Sequence, residues 1–367
     1  MMDIFSLLLP KYTIDKNKKI RLITLFSGYD SQKLAFDYLG IDVEHYRAIE
    51  FDKYAIQSLN EIHNTQFETT DITNVKGSDL GIIDKEKYTY IMTYSFPCTD
   101  LSLAGKRAGM DRDSGTRSGL LWEVERLLKE TKEKPQILIM ENVPQVLSAK
   151  GWREWNVFLE KLGYSNYTQI LNAKDYGIPQ NRERCFMVSI LGEYSYEFPK
   201  PFKLKDRLKD FLEENVDEKY YLSEKMIAAM LGNAINKSLK DVYDRKKMIF
   251  NKNIAYCLNT RQDRRIGDTN YIIPKINKEI NVLKYLQIKN DNIIPTRKLT
   301  PCECFKLMGV KPSDYNKITC SNAQKYKQAG NSIVTTVLMA IYSQLFENVD
   351  YKYYIEELLK ELRTKWL

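Results

Sequence analysis

A short apolar run, a turn carrying special residues and a stretch of helical period follow one another repeatedly along this chain. That order is the βαβ grammar of a parallel sheet, and it restricts the fold more than any other feature. The first unit reads Arg21-Leu22-Ile23-Thr24-Leu25-Phe26, then Ser27-Gly28-Tyr29-Asp30, then a helix through about Leu39 that ends at Gly40. A second strand runs from Val43 to Ile49 and ends at Glu50. Tyr88 to Tyr94 leads into Ser95-Phe96-Pro97-Cys98, and Gln136 to Met140 leads into Glu141-Asn142-Val143. Cys185 to Ile190 reads as a further strand. The expected fold is therefore α/β: a Rossmann-like, doubly wound, mostly parallel sheet with a second, smaller basic domain. Sheets of this type bind ligands outside the carboxyl ends of their strands. Here those ends carry Gly28, Glu50, Cys98 and Glu141.

Each of these residues has a plain reading if taken alone. Gly28 could serve an ordinary left-handed turn, and Glu50 could sit on a solvated loop end. A carboxylate just after the second strand is equally placed to accept hydrogen bonds from ribose hydroxyls. Cys98 lies between Pro97 and a polar loop, an unusual setting for a core thiol. The loop from Leu103 to Gly119 combines four glycines with Lys106, Arg107, Arg112 and Arg117, as a segment that moves and touches an anion would.

Charge divides the 367 residues unevenly. Residues 200 to 298 hold 22 Lys and Arg against 13 Asp and Glu, a net +9 within a formal total of +8, which leaves the rest near neutral. A neutral body joined to a basic module suggests contact with a polyanion, although a solvated basic surface would look the same by count. Arg245-Lys246-Lys247 and Arg261-x-x-Arg264-Arg265, interleaved with Tyr243, Tyr256 and Tyr271, favour nucleic acid. We expect a catalytic and cofactor-binding domain over 1–199, a small target-recognition domain over 200–325 and a C-terminal helical segment over 326–367 that packs back on the first.

Six scattered cysteines and two histidines exclude a disulfide framework and weigh against a histidine triad or a zinc knuckle, so no metal is expected. No apolar run reaches the roughly 18 residues of a membrane helix, and the start Ile4 to Pro10 lacks a basic lead and a cleavage site. A cytoplasmic protein without membrane contact, acting as a monomer, is the expectation.

Six blocks stand in a fixed order: Phe26-Ser27-Gly28, Ser95-Phe96-Pro97-Cys98, Glu141-Asn142-Val143, Gln180-Asn181-Arg182-Glu183-Arg184, Arg297-Lys298-Leu299-Thr300-Pro301-x-Glu303-Cys304-x-x-Leu307-Met308-Gly309 and Gly330-Asn331-Ser332-Ile333. Together they resemble the ordered motifs of the C5-cytosine DNA methyltransferases, over about residues 20–190 and 295–345. The basic middle falls where that family keeps its variable recognition region. Three positions depart from its pattern: Tyr29-Asp30-Ser31 offers less glycine than usual, Thr99 replaces glutamine and Lys306 replaces arginine.

The resemblance implies transfer of a methyl group from S-adenosyl-L-methionine to C5 of a cytosine flipped out of double-stranded DNA, through a covalent bond between Cys98 and C6. It implies Glu141 at N3 and Arg184 at O2, with Arg182 nearby. It places the cofactor among Phe26, Gly28, Glu50, Phe51, Asp71, Ile72, Pro97, Leu121, Asn331 and Ser332. DNA contacts are expected from Ser102, Lys106, Arg107, Arg245, Lys246, Lys247, Arg261, Gln262, Arg264 and Arg265, with Asn259 to Gln262 as a base-reading loop. A cognate restriction endonuclease is the candidate protein partner. An RNA cytosine-5 methyltransferase of similar fold and a DNA-binding protein with a degenerate catalytic lobe remain the alternatives.

Overall fold

The computed structural model describes residues 9–97, 117–223, 252–260, 270–272 and 296–363. Its centre is a six-stranded sheet built from β1 (Lys19–Leu25), β2 (Glu44–Ile49), β3 (Tyr88–Tyr94), β4 (Ile137–Asn142), β5 (Tyr164–Asn172) and β7 (Glu183–Leu191), in the order β2-β1-β3-β4-β7-β5. The β1–β2, β1–β3 and β3–β4 pairs are parallel, whereas β7 runs antiparallel to both β4 and β5. The expected mostly parallel sheet is present, and its one reversed strand is the Cys185 segment.

Both faces of the sheet are covered at its centre, which explains why β1, β3, β4 and β7 are buried along most of their length rather than on alternate residues. Successive side chains of β4 enter different clusters: Ile137 and Ile139 pack on one face, Leu138 and Met140 on the other. α1 (Ser31–Tyr38) and the later helices α5 (Pro301–Lys306), α8 (Thr335–Ser343) and α9 (Tyr351–Arg363) contribute to the first cluster. α3 (Leu121–Glu130) and α4 (Gly151–Lys161) contribute to the second.

The chain returns from its far end to its beginning through α8. Phe36 of α1 and Tyr342 of α8 are fully buried and stack with ring centroids 4.1 Å apart, 9° from parallel. This contact carries residues 330–332 back beside the first turn. α2 (Lys53–His63) is joined to α7 (Asn322–Asn331) by Lys327, which pairs with Asp52 at 2.5 Å.

Several boundaries differ from the sequence expectation. β1 stops at Leu25 because Phe26 adopts φ 58°, and β4 continues through Asn142, so Glu141 lies within the strand. The edge strand β5 was not expected. Its Ser165, Asn166, Thr168 and Gln169 obscure a strand signal, yet it pairs with β7 along its whole length.

Candidate active site

The chain passes from β1 to β2 on one side and then crosses to β3 on the other side of β1. The order of strands therefore reverses beside β1, which makes the carboxyl ends of β1 and β3 the switch point where sheets of this type have their ligand crevice. The turn after β1 forms one wall. Phe26 N–H donates to the Ile49 carbonyl (2.8 Å), which fixes the ends of β1 and β2 together. Gly28 has φ 59°, a conformation L side chains rarely adopt, and open space lies where a Cβ would stand.

Gly28 N–H donates to Glu50 Oε2 (2.9 Å), and Asp52 N–H donates to Glu50 Oε1 (2.8 Å). Each carboxylate oxygen keeps a second lone pair for a ligand. Burial raises the Glu50 pKa above its ordinary range, partly opposed by these two N–H donors. Phe51, beside it, is 73% exposed, an aromatic face turned to solvent at the mouth of the crevice. Thr70 N–H donates to the Glu50 carbonyl (2.8 Å) and so brings Asp71 and Ile72 alongside. The Asp71 carboxylate accepts from the Thr73 amide (2.9 Å) and hydroxyl (2.8 Å), while Ile72 is buried.

Asp30 anchors this turn from beneath. It caps α1 through Lys33 N–H (3.1 Å), and its other oxygen receives the Thr24 hydroxyl (2.7 Å) and His45 Nε2 (2.8 Å). His63, whose pKa burial pushes down to about 4, donates Nε2–H to the carbonyls of Tyr29 and Asp30. Both histidines of the chain thus brace the turn.

Four expected site residues from distant parts of the chain complete the wall. Leu121 is buried at the start of α3, and the Pro97 carbonyl accepts the Ser118 hydroxyl (2.8 Å). Ser332 Oγ lies 3.3 Å from Ser31 Oγ, and Asn331 is exposed beside it. A buried carboxylate, an exposed ring, an open glycine and small polar groups fit the ribose, adenine and chain of a nucleoside cofactor.

At the end of β4 lies the second cluster. Asn142 Nδ2 donates to the Phe96 carbonyl (2.9 Å), which ties the segment leading to Cys98 against the strand bearing Glu141. Asn142 lies within the Glu141-Asn142-Val143 motif, and nothing local in the sequence marks this bond to a segment 46 positions away. Arg184, inside β7, places Nε 3.1 Å from Glu141 Oε1. Burial raises the Glu141 pKa, and the guanidiniums of Arg184 and Arg182 pull it back. The carboxyl is thereby available as an acid above the usual range while an anion there remains paired.

Arg182 is buried and otherwise occupied. Its Nη1 donates to the Leu258 carbonyl (3.0 Å) and the Cys257 sulfur (3.3 Å), and its Nη2 to the carbonyls of Gly330 (3.0 Å) and Ser332 (2.6 Å). It joins three chain segments rather than opening into the crevice. The segment 252–260 is held beside it by β8 (Ala255–Tyr256), which pairs in parallel with β6 (Gln180–Asn181). Gly330 is required there, because a Cβ would come within 2.4 Å of the Asn259 backbone.

Cys98, Ser102, Lys106, Arg107, Arg245, Lys246, Lys247, Arg261, Gln262, Arg264 and Arg265 lie outside the described residues. Among the described residues, no helix is long and apolar enough to cross a membrane, and no group of three or more His, Cys, Asp or Glu could hold a metal ion.

Residues 20–347 match the family model for C-5 cytosine-specific DNA methylases. The chain is 36% identical to the type II methyltransferase M2.ScrFI of Lactococcus lactis subsp. cremoris over 75% of its own length and 72% of that protein. It is 33% identical to the type II methyltransferase M.NlaX of Neisseria lactamica, covering 89% of this chain and 96% of the relative. The methyltransferase EhMeth of Entamoeba histolytica superposes with a TM-score of 0.71 at 17% identity, over 91% of this chain and 99% of that one, a likeness of fold. The match to the family model, spanning both crevice walls and the Glu141 cluster, leads to one conclusion: the chain belongs to the C-5 cytosine-specific DNA methylase family and is a DNA cytosine-5 methyltransferase.

Proposed function

We propose that this enzyme methylates a specific duplex DNA site at a flipped-out cytosine, through a covalent bond between Cys98 and C6. The observation that carries the reading is the buried Glu141 carboxylate with its Arg184 partner, tied through Asn142 to the strand end that leads to Cys98. C5 of cytosine is a weak nucleophile, and a thiolate adding to C6 turns the ring into an enamine that can attack an electrophilic carbon. Negative charge develops toward N3 and O2 as the thiolate adds. Glu141 donates a proton or hydrogen bond at N3, and Arg184 stabilises O2. After methylation a base removes the C5 proton, the electron pair restores the ring, and Cys98 leaves as thiolate.

Membership in this family implies S-adenosyl-L-methionine as methyl donor, which supplies a methyl group on a sulfonium. Glu50 would accept hydrogen bonds from its ribose hydroxyls, Phe51 and Ile72 would sandwich its adenine, and Asp71 would meet the adenine amino group. Phe26, Gly28, Pro97, Leu121, Asn331 and Ser332 would enclose the remainder. Glu50→Gln sets an NH2 donor against one of the two backbone N–H groups, losing that bond and one acceptor for the ribose, so cofactor affinity is expected to fall about 10-fold or more. Isothermal titration with the cofactor checks this, and unchanged affinity would remove Glu50 from the pocket.

Flipping the base costs a few kcal/mol, offset by contacts from the basic region, from Ser102 and from the loop Leu103 to Gly119, in which Lys106 and Arg107 are our candidates. We assign duplex binding to the 200–325 region, catalysis to 1–199 and the closing helices to 326–367. Charge reversal of Arg245, Lys246 and Lys247 together is expected to weaken DNA binding and flatten the slope of log affinity against log salt, since each neutralised phosphate releases about 0.9 counterion. Cofactor affinity should stay unchanged. A slope equal to wild type would mark the cluster as solvated surface. Arg261, Gln262, Arg264 and Arg265 are proposed to lie nearer the base edges.

The type II names of the relatives support a partnership with a restriction endonuclease, although one relative, M.SssI of Spiroplasma monobiae, bears an orphan name. We propose a monomer acting on chromosomal DNA in the cytoplasm. Labelled methyl transfer to duplex DNA and to tRNA separates this function from the RNA alternative. Labelling of DNA is expected, and labelling of tRNA alone would overturn it.

A further inference from the structure

Asp30 closes the turn after β1 in a left-handed conformation, φ 61° and ψ 62°, which a side chain other than glycine adopts at some strain. Its carboxylate is 0% exposed and meets Thr24 Oγ1, the Lys33 amide and His45 Nε2. His45 comes from β2, the strand that ends at Glu50. That strand therefore meets the turn twice, at Asp30 through His45 and at the Gly28 amide through Glu50. Among the described residues the His45 ring has no further polar partner: Nδ1 is buried without one, and the ring packs on His63 and Phe67 with centroids 5.2 and 4.8 Å away.

We propose that His45 is a positioning residue for the cofactor site: it secures the Asp30 carboxylate in its left-handed seat and so sets the turn whose Gly28 amide faces Glu50. The inference rests on the role given above to Glu50. Other bonds also hold the turn, and they remain when His45 is replaced: the Thr24 hydroxyl and Lys33 amide on Asp30, and the backbone bonds from Phe26 to Ile49 and from Asp30 to Ser27. None of them brings an ionisable donor to a carboxylate wholly removed from water, and a buried charge that loses such a partner is strongly disfavoured. Burial by itself would raise the Asp30 pKa, yet His45, with smaller help from His63 and Thr24, brings it below the ordinary value. His63 does not stand in for His45, because its Nε2 is turned to the carbonyls of Tyr29 and Asp30 and burial lowers its pKa to about 4. Without His45 the carboxylate must take up a proton or move toward water. Either change falls between two contacts of the cofactor wall, Gly28 with Glu50 and Ser31 with Ser332. A glycine at position 30 would adopt the same backbone without strain and bury no charge, so Asp30 and His45 form a matched pair in its place.

The test uses the full-length enzyme and isothermal titration with S-adenosyl-L-methionine. His45→Leu keeps an apolar group of similar size against His63 and Phe67 but removes the donor, and His45→Gln returns an amide donor near the place of Nε2. The leucine variant is expected to bind cofactor about 10-fold more weakly, with its DNA dissociation constant within about 2-fold of wild type. The glutamine variant should recover to within about 3-fold. Raising the cofactor concentration should restore the methylation rate of the leucine variant, since the loss lies in binding. In an Asp30→Gly background the leucine substitution should cost nothing further, because no buried carboxylate is left to partner. Should the leucine variant fail to fold, His45→Asn, whose shorter amide stands near Nδ1 rather than Nε2, takes its place with the same expectation. Unchanged cofactor affinity, equal losses for the leucine and glutamine variants, an equal loss of DNA affinity, or an undiminished loss in the Asp30→Gly background would each overturn the proposal. Weak cofactor binding by Glu50→Gln beside normal binding by His45→Leu overturns this inference alone, whereas normal binding by Glu50→Gln overturns the role of Glu50 and this inference with it.

Discussion

Replacing Cys98 by alanine is expected to reduce methyl transfer by about 10⁴-fold or more, the scale on which loss of a covalent nucleophile acts. The reason lies in the ring: without addition at C6, C5 carries too little electron density to attack a sulfonium carbon, and neither Glu141 nor Arg184 can supply it. Binding of cofactor should be unaffected, because the Glu50 carboxylate is held in place by the backbone amides of Gly28 and Asp52. Single-turnover rates with labelled S-adenosyl-L-methionine measure the loss. An alanine variant within 10-fold of wild type would show that the chemistry does not pass through this sulfur.

Glu141→Gln is the second large effect. The amide keeps the shape of the carboxyl and can still donate a hydrogen bond, but it has no acidic proton to transfer to N3. Turnover is expected to fall about 10²-fold or more, the usual scale for a positioned acid, while DNA affinity stays within a few-fold. The buried setting sharpens this expectation. Burial raises the Glu141 pKa, while Arg184 and Arg182 limit the rise, so the group can be protonated as charge reaches N3 and still be paired when it is not. The acid form is populated below the raised pKa and disappears above it, so the rate through this route should decline on the alkaline side in wild type. That decline should be missing in Glu141→Gln. A glutamine variant with the wild-type rate and pH profile would take the proton donor elsewhere.

Much of this arrangement is legible in the chain because strand ends and turns leave local marks. Apolar runs buried on both faces of a sheet, the glycine at position 28 and the polar residues at the ends of β1, β2 and β4 mark one edge of the sheet in the sequence itself. The edge strand β5 leaves no such mark, since its exposed, polar residues draw their stability from pairing with β7. The part played by Asp30 and the two histidines is equally hidden. Thr24, Asp30, His45 and His63 lie up to 39 positions apart, and only the folding of α1 and α2 around β1 brings them together. Arg182 illustrates the limit for site residues. The sequence motif sets it two places from Arg184 on an extended segment, but which of the two reaches Glu141 depends on what each meets from residues 257–258 and 330–332.

The central claim is that methylation of C5 proceeds while C6 is bonded to Cys98. Duplex DNA with 5-fluorocytosine at the target position tests it most directly, since fluorine cannot leave as the C5 proton does and the enzyme should remain attached after methyl transfer. Incubation with S-adenosyl-L-methionine, denaturation, proteolysis and mass spectrometry should yield one modified peptide, carrying the methylated fluorinated base on Cys98. A stable complex whose base is linked to Cys257 or any other residue, or no complex on a duplex whose ordinary form is methylated, would contradict it.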